Sequence, residues 1–324
     1  MPDLSVNIGR LKLKNPVMVA SGTFGYAEEF RPFIDLKQLG AMVTKTITLR
    51  PRRGNPPPRT CETPLGLLNS IGLENPGLEV FIREKLPLLK KIGIPVIVSI
   101  ASEADPEEFV MLARRLDKIK TVAAMELNIS CPNIKSEVRS EKSEVKAWRH
   151  GRSNIRPLIS QDAKATYNLV SAVRKATRKT LIAKLSPNVR DIAEIARAAA
   201  EAGADAVSLV NTFYAMSIDI DTRTPCLGNN IGGLSGPAIK PLALAMVFEV
   251  ARQIDLPVIG MGGIMDTQDA LEFIIAGASG ICIGTANFIN PRVSAEIISG
   301  LKKYLQKNKI TSVNNLIGSI RCRN

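Results

Sequence analysis

Short apolar runs rich in β-branched residues alternate along this chain with longer amphipathic stretches. Strand-like runs fall at 16–20 (PVMVA), 41–45 (AMVTK), 95–100 (PVIVSI) and 123–129 (AAMELNI). Four more fall at 181–185 (LIAKL), 206–210 (AVSLV), 257–261 (PVIGM) and 280–284 (GICIG). Helical stretches separate most of them. Asp191 to Ala202 is followed by Gly203, and Thr267 to Ala276 by Gly277, each glycine placed as a C-terminal stop. The phrases EAGADA and IAGASG recur at helix-to-strand connections, a weak repeat of one supersecondary unit. Eight strand–helix units predict a closed (β/α)8 TIM barrel, α/β in class, with its active site at the C-terminal ends of the strands. Residues 1–324 are expected to form that one domain.

Two regions break the rhythm: 50–77, rich in Pro, Gly and Asn, and a strongly charged insertion at about 135–160. Both follow a strand C-terminus, where long loops of a barrel serve as lids or substrate walls. The strand ends themselves carry polar or glycine motifs. Strand one runs into Ser21-Gly22-Thr23, strand two into Lys45-Thr46 and strand three into Ser99. Strand four runs into Asn128-Ile129-Ser130-Cys131-Pro132-Asn133, strand five ends at Lys184, and strand six at Val210-Asn211-Thr212. Strands seven and eight end in Gly262-Gly263 and Gly284-Thr285. Parallel strands bring all of these to one rim.

Composition narrows the chemistry that rim can do. The five cysteines are scattered, without a C-x-x-C pair, and the chain has one histidine, His150. Such spacing assembles neither a zinc site nor an iron–sulfur cluster within the chain, so no metal site is expected. An odd cysteine count points to free thiols, with Cys226 and Cys282 read as packing residues. No secretory leader and no run of about 18 apolar residues is found, which predicts a cytoplasmic protein away from membranes. The formal charge of +13 raises the question of nucleic acid. Much of the excess sits in residues 135–156, with seven Lys or Arg against three Glu, and in the C-terminal tail. An ordinary basic surface is the expectation, with no nucleic-acid partner.

The glycine motifs after strands seven and eight let backbone amides approach a phosphate without a Cβ in the way, which suggests a phosphorylated ligand such as FMN or a phosphosugar. Lys184, at the end of an apolar run, needs an anionic partner or a depressed pKa. It fits a flavin edge that gains negative charge on reduction, a strand-end lysine reaching for water, or a Schiff-base lysine. Lys45 puts a second cation at the same pocket, which favours an anionic cofactor and an anionic substrate. Cys131, held on a loop among amide side chains, is a candidate general base. With an ordinary thiol pKa near 8.5, its activity should rise with pH.

The motifs ASGTFG (20–25), TKTIT (44–48), NSIGLENPG (69–77), ELNISCPN (126–133), KLSPNV (184–189), GGLSGPAIKP (232–241), GMGGI (260–264) and GTANF (284–288) together resemble the class 1 dihydroorotate dehydrogenases. The NAD-linked class 1B catalytic subunit is the most similar form, over residues 4–134 and 161–300. The resemblance implies FMN-dependent oxidation of (S)-dihydroorotate to orotate in pyrimidine biosynthesis, with Cys131 taking the C5 proton while hydride passes from C6 to the flavin. It implies a substrate set of Lys45, Asn69, Ser70, Ile71, Gly72, Leu73, Asn128, Asn211 and Thr212. It implies an FMN set of Ser21, Lys45, Thr46, Ser99, Asn128, Lys184, Val210, Gly236, Gly262, Gly263, Gly284 and Thr285. Partners implied are a second copy of the chain and, in a heterotetramer, a subunit carrying FAD and an iron–sulfur cluster that passes electrons to NAD. A class 1A-like enzyme that reduces fumarate directly would have the same residues.

The chain departs from the family pattern at two points. Ser99 stands where the family has a flavin-contacting asparagine, and a weakened contact is expected. The charged segment from about Lys135 to Ser160 replaces a shorter glycine-containing loop, and a solvated or partner-facing role is expected for it. Three other readings compete with this one. A tRNA-dihydrouridine synthase-like reductase would need a helical tRNA domain, and about two dozen residues follow the barrel. A dihydropyrimidine dehydrogenase-like enzyme would prefer neutral bases, against Lys45. A non-catalytic flavin protein would not need Cys131, Lys45 and Lys184 together.

Overall fold

The computed structural model describes residues 1–102, 105–130 and 159–322. Cys131 and most of the charged insertion lie outside the described residues.

Eight parallel strands close into a barrel: β1 (Val17–Val19), β2 (Ala41–Val43), β3 (Val96–Ile100), β4 (Val122–Asn128), β5 (Thr180–Lys184), β6 (Ala206–Leu209), β7 (Val258–Met261) and β8 (Ala278–Ile283). Each pairs with the next in sequence and β8 pairs with β1, so the sheet has no edge. Every strand falls within two residues of its expected span. Strands buried on both faces read as apolar runs, and β3 and β5 are buried throughout. Register then aligns the chemistry: Lys184 lies beside Asn128 on one flank and Ser208 on the other, and Ser99 beside Glu126.

The outer helices follow their sequence signals. Helix Ala163–Ala176 buries Thr166, Leu169, Val170 and Val173, one face at i, i+3, i+4 and i+7. Asp105, Asp162, Asp191 and Asp266 each accept a first-turn amide as N-caps, worth about 1 kcal/mol apiece. Helices Ile192–Glu201 and Thr267–Ala276 end ahead of Gly203 and Gly277, as expected. Between β1 and β2 there are only two 3-10 turns, Glu28–Phe30 and Leu36–Gln38.

The region 50–77, expected as a long loop over the strand ends, contains strands of its own. Strands Thr60–Thr63 and Gly66–Asn69 form a hairpin that joins Gly232–Ser235 and Phe213–Ala215 in a four-stranded antiparallel sheet, here called the roof. These strands are made by pairing rather than by apolar runs. Close approach requires Gly66, where a Cβ would lie 2.2 Å from the Ser235 carbonyl oxygen. At the opposite end of the barrel, hairpin Val6–Ile8 and Leu11–Leu13 turns through Gly9 (φ +57°) and buries Ile8 and Leu13. Arg174 pairs there with Asp205 at 2.7 Å, and Asp205 also accepts the Leu181 amide. Among the described residues no helix is long and apolar enough to cross a membrane.

Candidate active site

The C-terminal strand ends and the roof enclose a cavity of about 1260 Å³, counting its open mouth. Four walls can be told apart. Ser21, Lys45 and Thr46 come from the ends of β1 and β2, and Asn128, Lys184, Val210, Asn211 and Thr212 from β4 to β6. The roof side contributes Asn69, Ile71, Gly72 and Leu73. Gly236, Gly262, Gly263, Gly284 and Thr285 make the far end.

Two expected residues do not reach the cavity wall. Ser70 is fully buried, where its hydroxyl accepts from the Asn55 amide at 3.0 Å and its own amide donates to the Arg59 carbonyl. Ser99 is likewise buried, and its hydroxyl hydrogen-bonds Thr46 Oγ1 at 2.9 Å. Its side chain is too short to pass Thr46, so Ser99 supports the wall from behind. Thr46 Oγ1 in turn accepts from Asn128 Nδ2 at 3.1 Å. Asn211 Nδ2 donates to the Ser130 hydroxyl at 2.9 Å, within 3.4 Å of Asn128 Oδ1. A ladder of hydroxyls and amides thus fixes the orientation of the carboxamides that face the cavity.

Electrostatics at the wall come from two lysines. Burial holds the Lys45 ammonium below the ordinary lysine range, with Glu74 pushing it back up, Arg59 down and Glu29 up. Lys184 is 5% exposed and donates to Ser21 Oγ at 3.4 Å. Its counter-ion is Glu126, with Oε1 at 4.0 Å from Nζ and Oε2 accepting from Ser208 at 3.1 Å. Sequence reasoning did not single out Glu126. The available signal was a carboxylate inside an apolar strand, two residues before Asn128 and therefore on the same inward face. The roof residues Thr60, Leu67 and Ser235, which also line the cavity, were missed because pairing alone brings them there.

A flavin mononucleotide can be tested against the far end. Gly236, Gly262 and Gly263 have φ of +96°, +122° and +76°. A Cβ on Gly263 would stand 2.7 Å from Lys240 Cβ and 2.9 Å from the Gly236 carbonyl oxygen. A Cβ on Gly22 would meet nothing within 4 Å, and one on Gly284 only Ala20 at 4.0 Å, so side chains there would fill the cavity. The chain then enters the short helix Ala286–Ile289, the arrangement with which barrels of this kind cradle a phosphate after strands seven and eight. These residues fit a phosphorylated flavin.

A sequence profile of the family described as "Dihydroorotate dehydrogenase" matches residues 3–149 and 153–305. The chain belongs to this family. It is 51% identical to the "Dihydroorotate dehydrogenase B (NAD(+)), catalytic subunit" of Thermoanaerobacter pseudethanolicus, covering 98% of this chain and 99% of that protein. Proteins of the same description from Pelobacter propionicus and Geobacter metallireducens are 49% and 50% identical, each with 99% of both chains covered. For the family the barrel is the expected scaffold, and the cavity lies on the rim that such barrels use for catalysis.

Proposed function

We propose that this chain is the catalytic subunit of an NAD-linked dihydroorotate dehydrogenase, oxidising (S)-dihydroorotate to orotate with one bound FMN. The observation that carries the reading is the convergence of Lys45, Lys184 and the Thr46–Asn128–Asn211 ladder on one glycine-walled cavity. Lys45 meets the substrate carboxylate. Asn69, Asn128 and Asn211 read the ring's amide edges, and Thr212 with Ile71 to Leu73 close around it. Cys131 follows directly on the strand that carries Asn128 and takes the C5 proton. FMN, when bound, would supply the hydride-accepting chemistry. Gly236, Gly262, Gly263, Gly284 and Thr285 would hold its phosphate, while Ser21, Thr46, Val210 and Lys184 would seat its ring, with Lys184 offering positive charge in a site from which burial removes water.

The assembly in this reading is a homodimer joined by two subunits bearing FAD and an iron–sulfur cluster, through which electrons reach NAD. The test is substrate choice. The FMN-loaded chain, mixed without oxygen, should have its flavin bleached by L-dihydroorotate and not by dihydrouracil. Bleaching by dihydrouracil alone would move the assignment to neutral pyrimidines.

A further inference from the structure

The roof carries two thiols that the site does not use. In its hairpin Thr60 lies opposite Asn69, Glu62 opposite Leu67, and Cys61 opposite Leu68. Thr60, Leu67 and Asn69 line the cavity, so by strand alternation Cys61 and Leu68 point to the outer face. The segment around Leu227 covers that face. Leu227 is buried, a Cβ on Gly232 would lie 2.4 Å from its Cδ1, and the Gly228 amide donates to the Pro58 carbonyl at 2.9 Å. Cys226 stands at the start of this cover, where its thiol donates to Ser217 Oγ at 3.5 Å. The Cys61 thiol donates to the Glu62 carbonyl at 3.4 Å, and the Cys226 thiol and Ser217 hydroxyl lie near enough to shift its ionisation. Both thiols are free and half-buried.

We propose that Cys61 and Cys226 form a reversible thiol–disulfide site, oxidised by small disulfides of the glutathione class, which clasps the loop 216–228 to the outer face of the roof. In the first step the Cys61 thiolate attacks one sulfur of the small disulfide. Its S–S bond breaks, a mixed disulfide forms on Cys61, and the first thiolate leaves and takes a proton from solvent. Cys226, having lost its proton to solvent, then attacks the Cys61 sulfur. The Cys61–Cys226 bond forms and the second small thiol departs. Two protein thiols are oxidised and one small disulfide is reduced to two thiols. Burial and the Cys226 thiol push Cys61 above its ordinary range while Ser217 pulls it down, so the exchange speeds up as pH rises.

Two other cysteines serve as internal controls. Cys282 is buried in the barrel, where burial and then Glu126 push its thiol up, and it should stay unreactive. Cys322 is exposed near the end of the chain and should stop at a mixed disulfide. The experiment incubates the full FMN-loaded chain with glutathione disulfide, alkylates the remaining thiols and maps peptides by mass spectrometry. The expected result is a Cys61–Cys226 cross-link that dithiothreitol reverses, and in Cys226→Ser a mixed disulfide that persists on Cys61. Hydrogen exchange of amides in 213–235 should slow severalfold on oxidation of the wild type and not of Cys226→Ser. Recovery of both thiols alkylated, or both carrying glutathione, or either linked to another cysteine, would overturn the site. A cross-link that leaves exchange unchanged would overturn the clasp. Neither readout depends on dihydroorotate chemistry, so failure here is separate from failure of the proposed function.

Discussion

The two ends of the barrel are built from the same eight strands and do opposite things. At the N-terminal end Ile8 and Leu13 fill the opening, and Asp205 satisfies Arg174 and the Leu181 amide, so apolar burial and paired charge close it. At the C-terminal end Lys184 is buried and Lys45 half-buried beside amides and glycines, and the space between them is left as a cavity. The lower end is arranged for stability. The upper end holds groups that would be costly without a ligand, and that difference is what marks it as the site.

Substitution of one residue at each end should separate the two roles most sharply. Lys184→Met should slow flavin reduction by dihydroorotate by about 10²–10³-fold in stopped-flow, and it should also lower the melting temperature, because Glu126 is left buried without its counter-ion. Asp205→Ala should lower unfolding free energy by about 2–3 kcal/mol in urea and leave reduction unchanged. Complete loss of a buried pair's partner costs about 3–5 kcal/mol, reduced here because both side chains keep some exposure. Equal effects of both variants on the reduction rate would erase the distinction.

Finer tests stay on the upper rim. Gly263→Ala should weaken FMN by tens of fold in equilibrium dialysis, since its φ and the Gly236 carbonyl both oppose a methyl group. Thr46→Val should raise KM for dihydroorotate about tenfold by removing the acceptor that orients Asn128, with FMN still bound. Ser99→Ala should cost only a few fold, because Ser99 acts through Thr46.

The pH profile has a sign at each limb. With Cys131 as the proposed base, thiolate formation should make the rate rise toward an ordinary thiol pKa near 8.5. With Lys45 as the proposed carboxylate partner, binding needs its proton, and burial makes it lose that proton at lower pH than an exposed lysine. KM for dihydroorotate should therefore rise at alkaline pH, below the ordinary lysine range. Steady-state kinetics of Lys45→Arg, whose charge persists, should lack that rise.

How much of this was legible in the sequence depended on the physical signal. The barrel strands are buried on both faces, so their apolar runs stand out, and the aspartate caps and Gly277 mark helix ends by local geometry. The roof strands carry Thr, Cys, Glu and Gly, and exist because distant segments pair, which no local pattern records. Lys184 could be picked out as a buried cation, but its partner Glu126 depends on strand alternation across the closed sheet, and the nearness of Cys61 to Cys226 on a distant segment packing over the roof. Ser99 shows the same limit: its place at the end of β3 was clear, while its use behind Thr46 follows from side-chain length.

The most direct test of the central claim is anaerobic mixing of FMN-loaded wild type and Cys131→Ala with L-dihydroorotate, following flavin absorbance. The account predicts rapid bleaching in the wild type and a loss of about 10²–10⁴-fold in the variant with FMN retained. Bleaching at the same rate in both, or none in the wild type despite bound FMN and the electron-transfer subunit, would contradict it.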